Sequence, residues 1–143
     1  DTMVSMLNHT TVDGKPILDL VKQGLLKKES LDKIVLRTKN GGAEIVKLLE
    51  RGSAFYAPAA SGVEMAESYL KDLKKQLPCA AYLDGEYEVN GLYAGVPVII
   101  GKKGIEKIIE INLDKEEKNN LNNSIKAVTE LFDAAKKIDP FLA

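Results

Sequence analysis

The 143-residue sequence predicts an α+β fold, with long helices packed on an antiparallel sheet. The first observation behind this is a 3.6-residue period. Leu31, Ile34, Val35, Thr38, Gly42, Ile45, Val46 and Leu49 follow it, and so do Leu121, Ile125, Val128, Phe132 and Ala135. That spacing lines one face of a helix. The second is a change of period between these two stretches. Apolar runs at residues 79–83, 92–100 and 105–113 are separated by turn residues, and strands joined by short turns pair antiparallel. No repeat, linker or low-complexity tract divides the chain, so residues 1–143 read as one domain.

In chain order, residues 3–12 mix apolar and β-branched side chains, which suits a strand. Asp13-Gly14 is a turn pair, Pro16 fits the first position of a helix, and Gly24 fits its end. Ser30 opens the long helix, which Gly41-Gly42 interrupts. Each Gly in a helix costs about 0.5–1 kcal/mol relative to Ala, so the pair either has a use or marks a break. Arg51-Gly52 supplies a cation and a helix-ending glycine. After the small residues at 53–61, a second helix carries Val63, Ala66, Tyr69 or Leu70, Leu73 and Leu77, with Pro78 as its stop. Asp84-Gly85 and residues 101–104 are the turns of the sheet. Pro97 predicts an edge strand or a bulge. The third run also allows a helix through Ile105, Ile108 and Ile109. Asp114 and Glu117 have capping-box spacing before the last helix, and Lys136-Lys137 stand at its carboxyl end.

Composition narrows function. Apolar residues are 45% and charged residues 29%, and a chain this long buries roughly 68–70% of its unfolded surface without a metal or disulfide staple. Twenty basic and 21 acidic residues leave a net charge of −1, which offers no electrostatic reason to expect nucleic acid or an anionic membrane. The longest nearly apolar stretch, residues 54–63, is far short of the roughly 20 residues of a spanning helix. Residues 1–10 lack the basic start and apolar run of a signal peptide. Cys79 is alone, so neither an internal disulfide nor a cysteine metal cluster is expected, and no metal site is. A reduced, cytoplasmic setting is the expectation. One His, one Cys and two Arg leave few groups that titrate near neutrality or clamp anions, so the chain is expected to supply part of a site.

Several strings resemble the malate and lactate dehydrogenase family, in its carboxyl-terminal half. Asp1-Thr2-Met3-Val4 looks like the residues just after the catalytic His in the family's Gly-x-His-Gly-Asp-x-Met-Val segment. Gly41-Gly42-Ala43-Glu44-Ile45-Val46 is similar to the long helix of malate dehydrogenases. Gly52-Ser53-Ala54-Phe55-Tyr56-Ala57-Pro58-Ala59-Ala60-Ser61 resembles the loop and helix start that line the active site. Leu77-Pro78-Cys79 and residues 95–106 look like the late sheet. The match runs from Asp1 to about Ile138, and the Ala-Pro-Ala-Ala-Ser form resembles the lactate-dehydrogenase-like bacterial malate dehydrogenases most.

The resemblance implies a fold, that of the family's C-terminal domain, and a division of labour. No Gly-x-Gly-x-x-Gly turn with an acidic residue about 20 positions on occurs here, so this chain has no Rossmann domain. The family's catalytic His would precede Asp1, with its Asp partner and the substrate-binding Arg residues further upstream, so no catalytic residue is expected in this chain. Ser53, Ala54, Pro58 and Ser61 are the expected lining positions, with Ala54 and Pro58 beside the nicotinamide ring and the substrate. Gly42 belongs to the same wall or lets two helices cross closely. Small residues there serve ligand approach or helix packing, and both readings stand. NAD is the expected cofactor of the intact enzyme, and none is expected on this chain alone. Expected partners are malate and oxaloacetate, the chain's own N-terminal domain, and further copies in a homo-dimer or tetramer, with no nucleic acid and no membrane. An L-lactate dehydrogenase is the alternative within the class, and a non-catalytic assembly module is the alternative outside it.

Other residues carry plainer readings. His9 is placed away from the family's catalytic position. Cys79 lies in an apolar run and reads as a buried inert thiol. Asp84 and Glu86 read as a solvated turn, Gly101-Lys102-Lys103-Gly104 as a hairpin turn and not a phosphate grip, and Arg37 and Arg51 as surface or interface cations.

Overall fold

The computed structural model describes residues 3–142 and is an α+β structure. It divides into two compact units, residues 1–54 with 115–124, and residues 55–114 with 125–143.

The first unit opens with a 3₁₀ turn at Leu7–His9. The strand expected over residues 3–12 shrinks to β1, Thr11–Val12, paired antiparallel with β2, Lys15–Pro16. The Thr10 hydroxyl donates to the Met6 carbonyl at 2.7 Å, which offers the backbone a turn instead of a ladder. Asp13 (φ 49°) and Gly14 (φ 77°) make the two positive-φ corners of a hairpin turn. Pro16 stands just ahead of α1, Ile17–Lys22. Gly24 (φ 72°) ends that helix as predicted, with its N–H on Val21 and the Leu25 N–H on Leu20.

Helix α2, Lys28–Leu49, runs 22 residues without a break, so Gly41-Gly42 is tolerated and not a boundary. Its end differs from the expectation. Glu50, not Gly52, takes the left-handed cap (φ 58°), and its N–H bonds to Val46 at 3.1 Å. Helix α4, Lys115–Ile138, begins directly after Asp114, and its residues through Ser124 belong to this unit.

The second unit holds α3, Tyr56–Leu70, and the sheet. The sequence put the helix stop at Pro78; the structure stops it at Leu70. Asp72 turns left-handed (φ 52°), with its N–H toward Tyr69 and the Leu73 N–H on Ser68 at 2.9 Å. Leu73 and Leu77 therefore leave the helical face, and residues 75–84 become strand β3, Lys75–Asp84. β3 pairs antiparallel with β4, Asn90–Gly101, and β4 with β5, Gly104–Ile108. Pro97 lies in the central strand, not at an edge. It stands opposite Pro78, and neither residue needs a donor toward the other. The Pro97 carbonyl accepts the Ile109 N–H at 2.8 Å, but Pro97 has no N–H to return, and β5 ends at Ile108.

One face of the sheet is the core: Cys79, Ala81 and Leu83 from β3, and Ala94, Val96, Val98 and Ile100 from β4. Ile125 of α4 packs against it, and Tyr87 and Val89 pack beside it from the 86–89 turn. The opposite face carries the cross-strand pair Tyr82 and Tyr93, whose rings meet edge to face at 5.4 Å.

Three charges brace the β4–β5 hairpin. Asp72 accepts the Lys102 N–H at 2.9 Å, Glu106 accepts Lys74 Nζ at 2.6 Å, and Lys74 also reaches Asp72 at 3.4 Å. A side chain at Gly101 would put its Cβ 2.5 Å from Glu106 Oε1 and 2.8 Å from Asp72 Oδ1. The Lys102 N–H holds the Asp72 carboxyl below its ordinary range, and Lys74 does the same for Glu106. Depressed carboxylates contribute stability above their unfolded values, about 4, and lose it as pH falls through the lowered folded values. The melting temperature is therefore expected to fall on acidification below about pH 4, and Asp72→Asn is expected to flatten that fall. A variant with the wild-type acid profile would contradict the brace.

Candidate functional site

Gly52 (φ 82°) turns the chain out of the segment after α2. Ser53 comes next, exposed, and then Ala54, half-buried. Gly42 is exposed on α2, and no atom lies within 4 Å of where its Cβ would be; the same holds for Gly41. Within the described residues, then, no helix crosses close enough to require either glycine. Gly42, Ser53 and Ala54 belong to the first unit.

Pro58 and Ser61 belong to the second unit, in the opening turns of α3. They are three residues apart and share a helix face. Both are exposed. Phe55, the residue before the helix, gives no side-chain cap, and the first helical bond runs from the Ala59 N–H to the Phe55 carbonyl at 2.9 Å. Pro58 has no N–H to leave unsatisfied there. The Ser61 hydroxyl donates back to the Ala57 carbonyl at 3.1 Å, which spends its proton inside the helix.

Residues 52–63 contain no Asp, Glu, Lys, Arg, His or Cys. This segment has no charged side chain and so no clamp for a charged group; its hydroxyls are those of Ser53, Tyr56 and Ser61. It can offer small side chains and close approach, so a charged acid–base group must come from other residues. No group of three or more His, Cys, Asp or Glu able to hold a metal occurs among the described residues.

The remaining candidates settle into structural places. His9 closes the exposed 3₁₀ turn. Cys79 is buried in the core, and burial pushes its thiol up, away from the reactive thiolate. Glu86 accepts the Asp84 N–H at 2.8 Å across their turn, as a solvated turn does. At residues 101–104 the N–H groups of Lys102 and Lys103 face Asp72 and Glu106. Two carboxylates already occupy the donors that a phosphate would need, so this is a hairpin turn. Arg51 is exposed.

Arg37 makes a two-pronged contact with Glu44 on the surface of α2, Nε to Oε2 at 3.1 Å and Nη2 to Oε1 at 2.9 Å. Arg37 holds the Glu44 carboxyl below its usual range. The pair flanks Gly41 in an open groove with Ile34, Thr38, Ile45 and Leu48. Because both glycines face open space, Gly41→Ala and Gly42→Ala are each expected to stabilise the isolated chain by about 0.5–1 kcal/mol. Chemical denaturation checks this, and a loss of stability would mean that the helix uses the missing side chains internally.

Two structural anchors escape sequence reasoning. Ser68 is fully buried, and its hydroxyl bridges α3 to the sheet. The Tyr87 hydroxyl donates to the Ile109 carbonyl at 2.6 Å and accepts the Ile111 N–H at 3.2 Å, tying the turn after β3 to the segment after β5. A single Ser in a helix and a single Tyr in a turn carry no periodic signal.

The profile of the lactate/malate dehydrogenase alpha/beta C-terminal domain matches residues 1–139. The chain is 63% identical over all 143 residues to a malate dehydrogenase of Pelagibacter ubique, covering 45% of that protein. It is 56% identical, with the same coverage, to a malate dehydrogenase of Cereibacter sphaeroides. It spans about half the length of these curated relatives. Among solved structures it is similar to lactate dehydrogenase from Eimeria maxima with NADH and oxamate, at TM-score 0.89 and 47% identity, over 94% of this chain and 42% of that one. It is likewise similar to malate dehydrogenase from Salinibacter ruber, at TM-score 0.88 and 46% identity, over 96% of this chain and 43% of that one.

Proposed function

This chain belongs to the lactate/malate dehydrogenase C-terminal domain family, and on that premise we propose that it is the C-terminal half of an NAD-dependent malate dehydrogenase. The observation that carries the reading is identity of 54–63% along the entire chain to bacterial malate dehydrogenases. Among the solved structures a lactate dehydrogenase at 47% and a malate dehydrogenase at 46% stand level, so the curated relatives carry the choice of malate over lactate.

The uncharged, small-residue segment 52–63 fits close approach by the flat face of a nicotinamide ring, because it carries no charged side chain to compete there. When bound, NAD is the two-electron acceptor for the malate carbon. Gly42, Ser53 and Ala54 of the first unit, and Pro58 and Ser61 of the second, are each read as small lining positions that leave room for ring and substrate. The general base, the substrate-binding Arg residues and the dinucleotide fold belong to the half outside this chain. The intact enzyme is read as a cytoplasmic homo-oligomer. No helix among the described residues is long and apolar enough to cross a membrane. Apolar side chains such as Leu36, Leu48, Val63 and Leu70 stand 63–79% exposed, as surfaces that another half or subunit would cover.

The test compares the chain with the full-length protein. The chain alone is expected to show no NADH oxidation with oxaloacetate and no tight NADH binding in a fluorescence titration. The full-length protein is expected to oxidise malate with a higher kcat/KM than lactate. Turnover by the chain alone would refute the division of labour, and a preference for lactate would reassign the substrate. A full-length protein that assembles but turns over neither acid would leave the assembly role.

A further inference from the structure

We propose that Ser68 is the positioning residue that sets where the site-lining end of α3 stands; this rests on the reading of Pro58 and Ser61 as part of the site. Within this chain the helix is held at one end. Residues 55–66 are all exposed, Glu67 is half-buried, and Ser68 is the one buried residue of α3, with 0% of its surface accessible. Its hydroxyl donates to the Ile100 carbonyl at 2.7 Å and accepts the Lys75 N–H at 3.2 Å. Ile100 and Lys75 face each other across β4 and β3. One hydroxyl therefore fastens the helix to two paired strands at once. Two further ties are exposed ion pairs, Lys75 with Glu64 at 3.3 Å and with Glu67 at 3.9 Å, and such pairs hold geometry weakly.

Pro58 stands ten residues from this anchor, about 15 Å along the helix. A tilt of about 4° at Ser68 moves the far end by about 1 Å, and a displacement of that size at a reacting centre costs up to about a hundredfold in rate. Ser68 acts through the helix and touches neither substrate nor cofactor.

The test uses the full-length protein and three variants. Ser68→Ala removes the anchor, Ser68→Cys keeps the shape with a weaker donor, and Leu83→Ala weakens the same core eight residues further along β3, about 27 Å from Lys75. Ser68→Ala is expected to speed amide exchange in residues 59–67 about tenfold without ligand. It is also expected to lower kcat for malate about 10- to 100-fold and to raise the primary deuterium isotope effect. Ser68→Cys falls between Ala and wild type. Leu83→Ala leaves kcat per folded molecule, the isotope effect and α3 exchange unchanged. Wild-type exchange and isotope effect in both Ser68 variants would overturn the proposal, and so would Leu83→Ala reproducing their changes. If the wild-type protein does not oxidise malate, the reading of the site fails, and the exchange data still decide whether Ser68 holds the helix.

Discussion

Shortening Leu83 to alanine is expected to remove about 2–5 kcal/mol of unfolding free energy. Leu83 is wholly buried, and with Val98 it is the largest apolar side chain in that state. Its neighbours in the core cluster are mostly small: Cys79, Ala81, Ala94, Val96, Val98 and Ile100. Alanines on a pleated strand have no side-chain freedom with which to fill a gap. The lost transfer energy is therefore joined by a cavity that cannot close, which places the cost well above a surface substitution. Urea denaturation reads the result as a lower midpoint at constant slope. A loss below about 1 kcal/mol would mean that the cluster is not the core of the second unit.

The lining positions give the opposite signature. Ala54→Leu and Pro58→Leu, each in the full-length protein, are expected to lower kcat/KM for malate about a hundredfold. Stability should stay nearly unchanged, because Pro58 is exposed and Ala54 half-buried. A branched side chain on a surface that works by admitting close approach holds ring and substrate apart. Wild-type turnover in both variants would remove residues 54 and 58 from the site. Leu83 thus reports on the fold without the site, and these two on the site without the fold.

The two long helices are legible because period is a property of composition along the chain. Leu31 and Leu121, both on the expected stripes, are buried. Their ends are less legible. Glu50 and Asp72 adopt left-handed backbone as ordinary L-residues, and no residue type announces that choice. Residue type alone points to Gly52 and Pro78 as the stops, one three residues beyond the last helical residue, Leu49, and the other eight beyond Leu70. Pro97 points to an edge because a central strand should lack proline; the structure admits it where β5 has already ended. In the candidate segment, residues 52–63 show by their lack of charge that they hold no charged clamp or charged base. Their role comes from resemblance. Ser68 is invisible in the sequence, because its importance lies in two backbone partners on separate strands.

The facing prolines of β3 and β4 have a consequence for how the molecule avoids its own kind. Pro78 and Pro97 occupy a pair in which neither backbone points at the other, so the carbonyl and ring nitrogen of Pro78 point away from β4. Within the described sheet that direction is the outer margin of β3. A passing extended peptide that tried to lengthen the sheet would meet a missing donor and a ring in the middle of the strand. The same proline that reads in the sequence as a helix stop is thus a guard against fibre-like stacking during synthesis, while the sheet is still waiting for its covering helices.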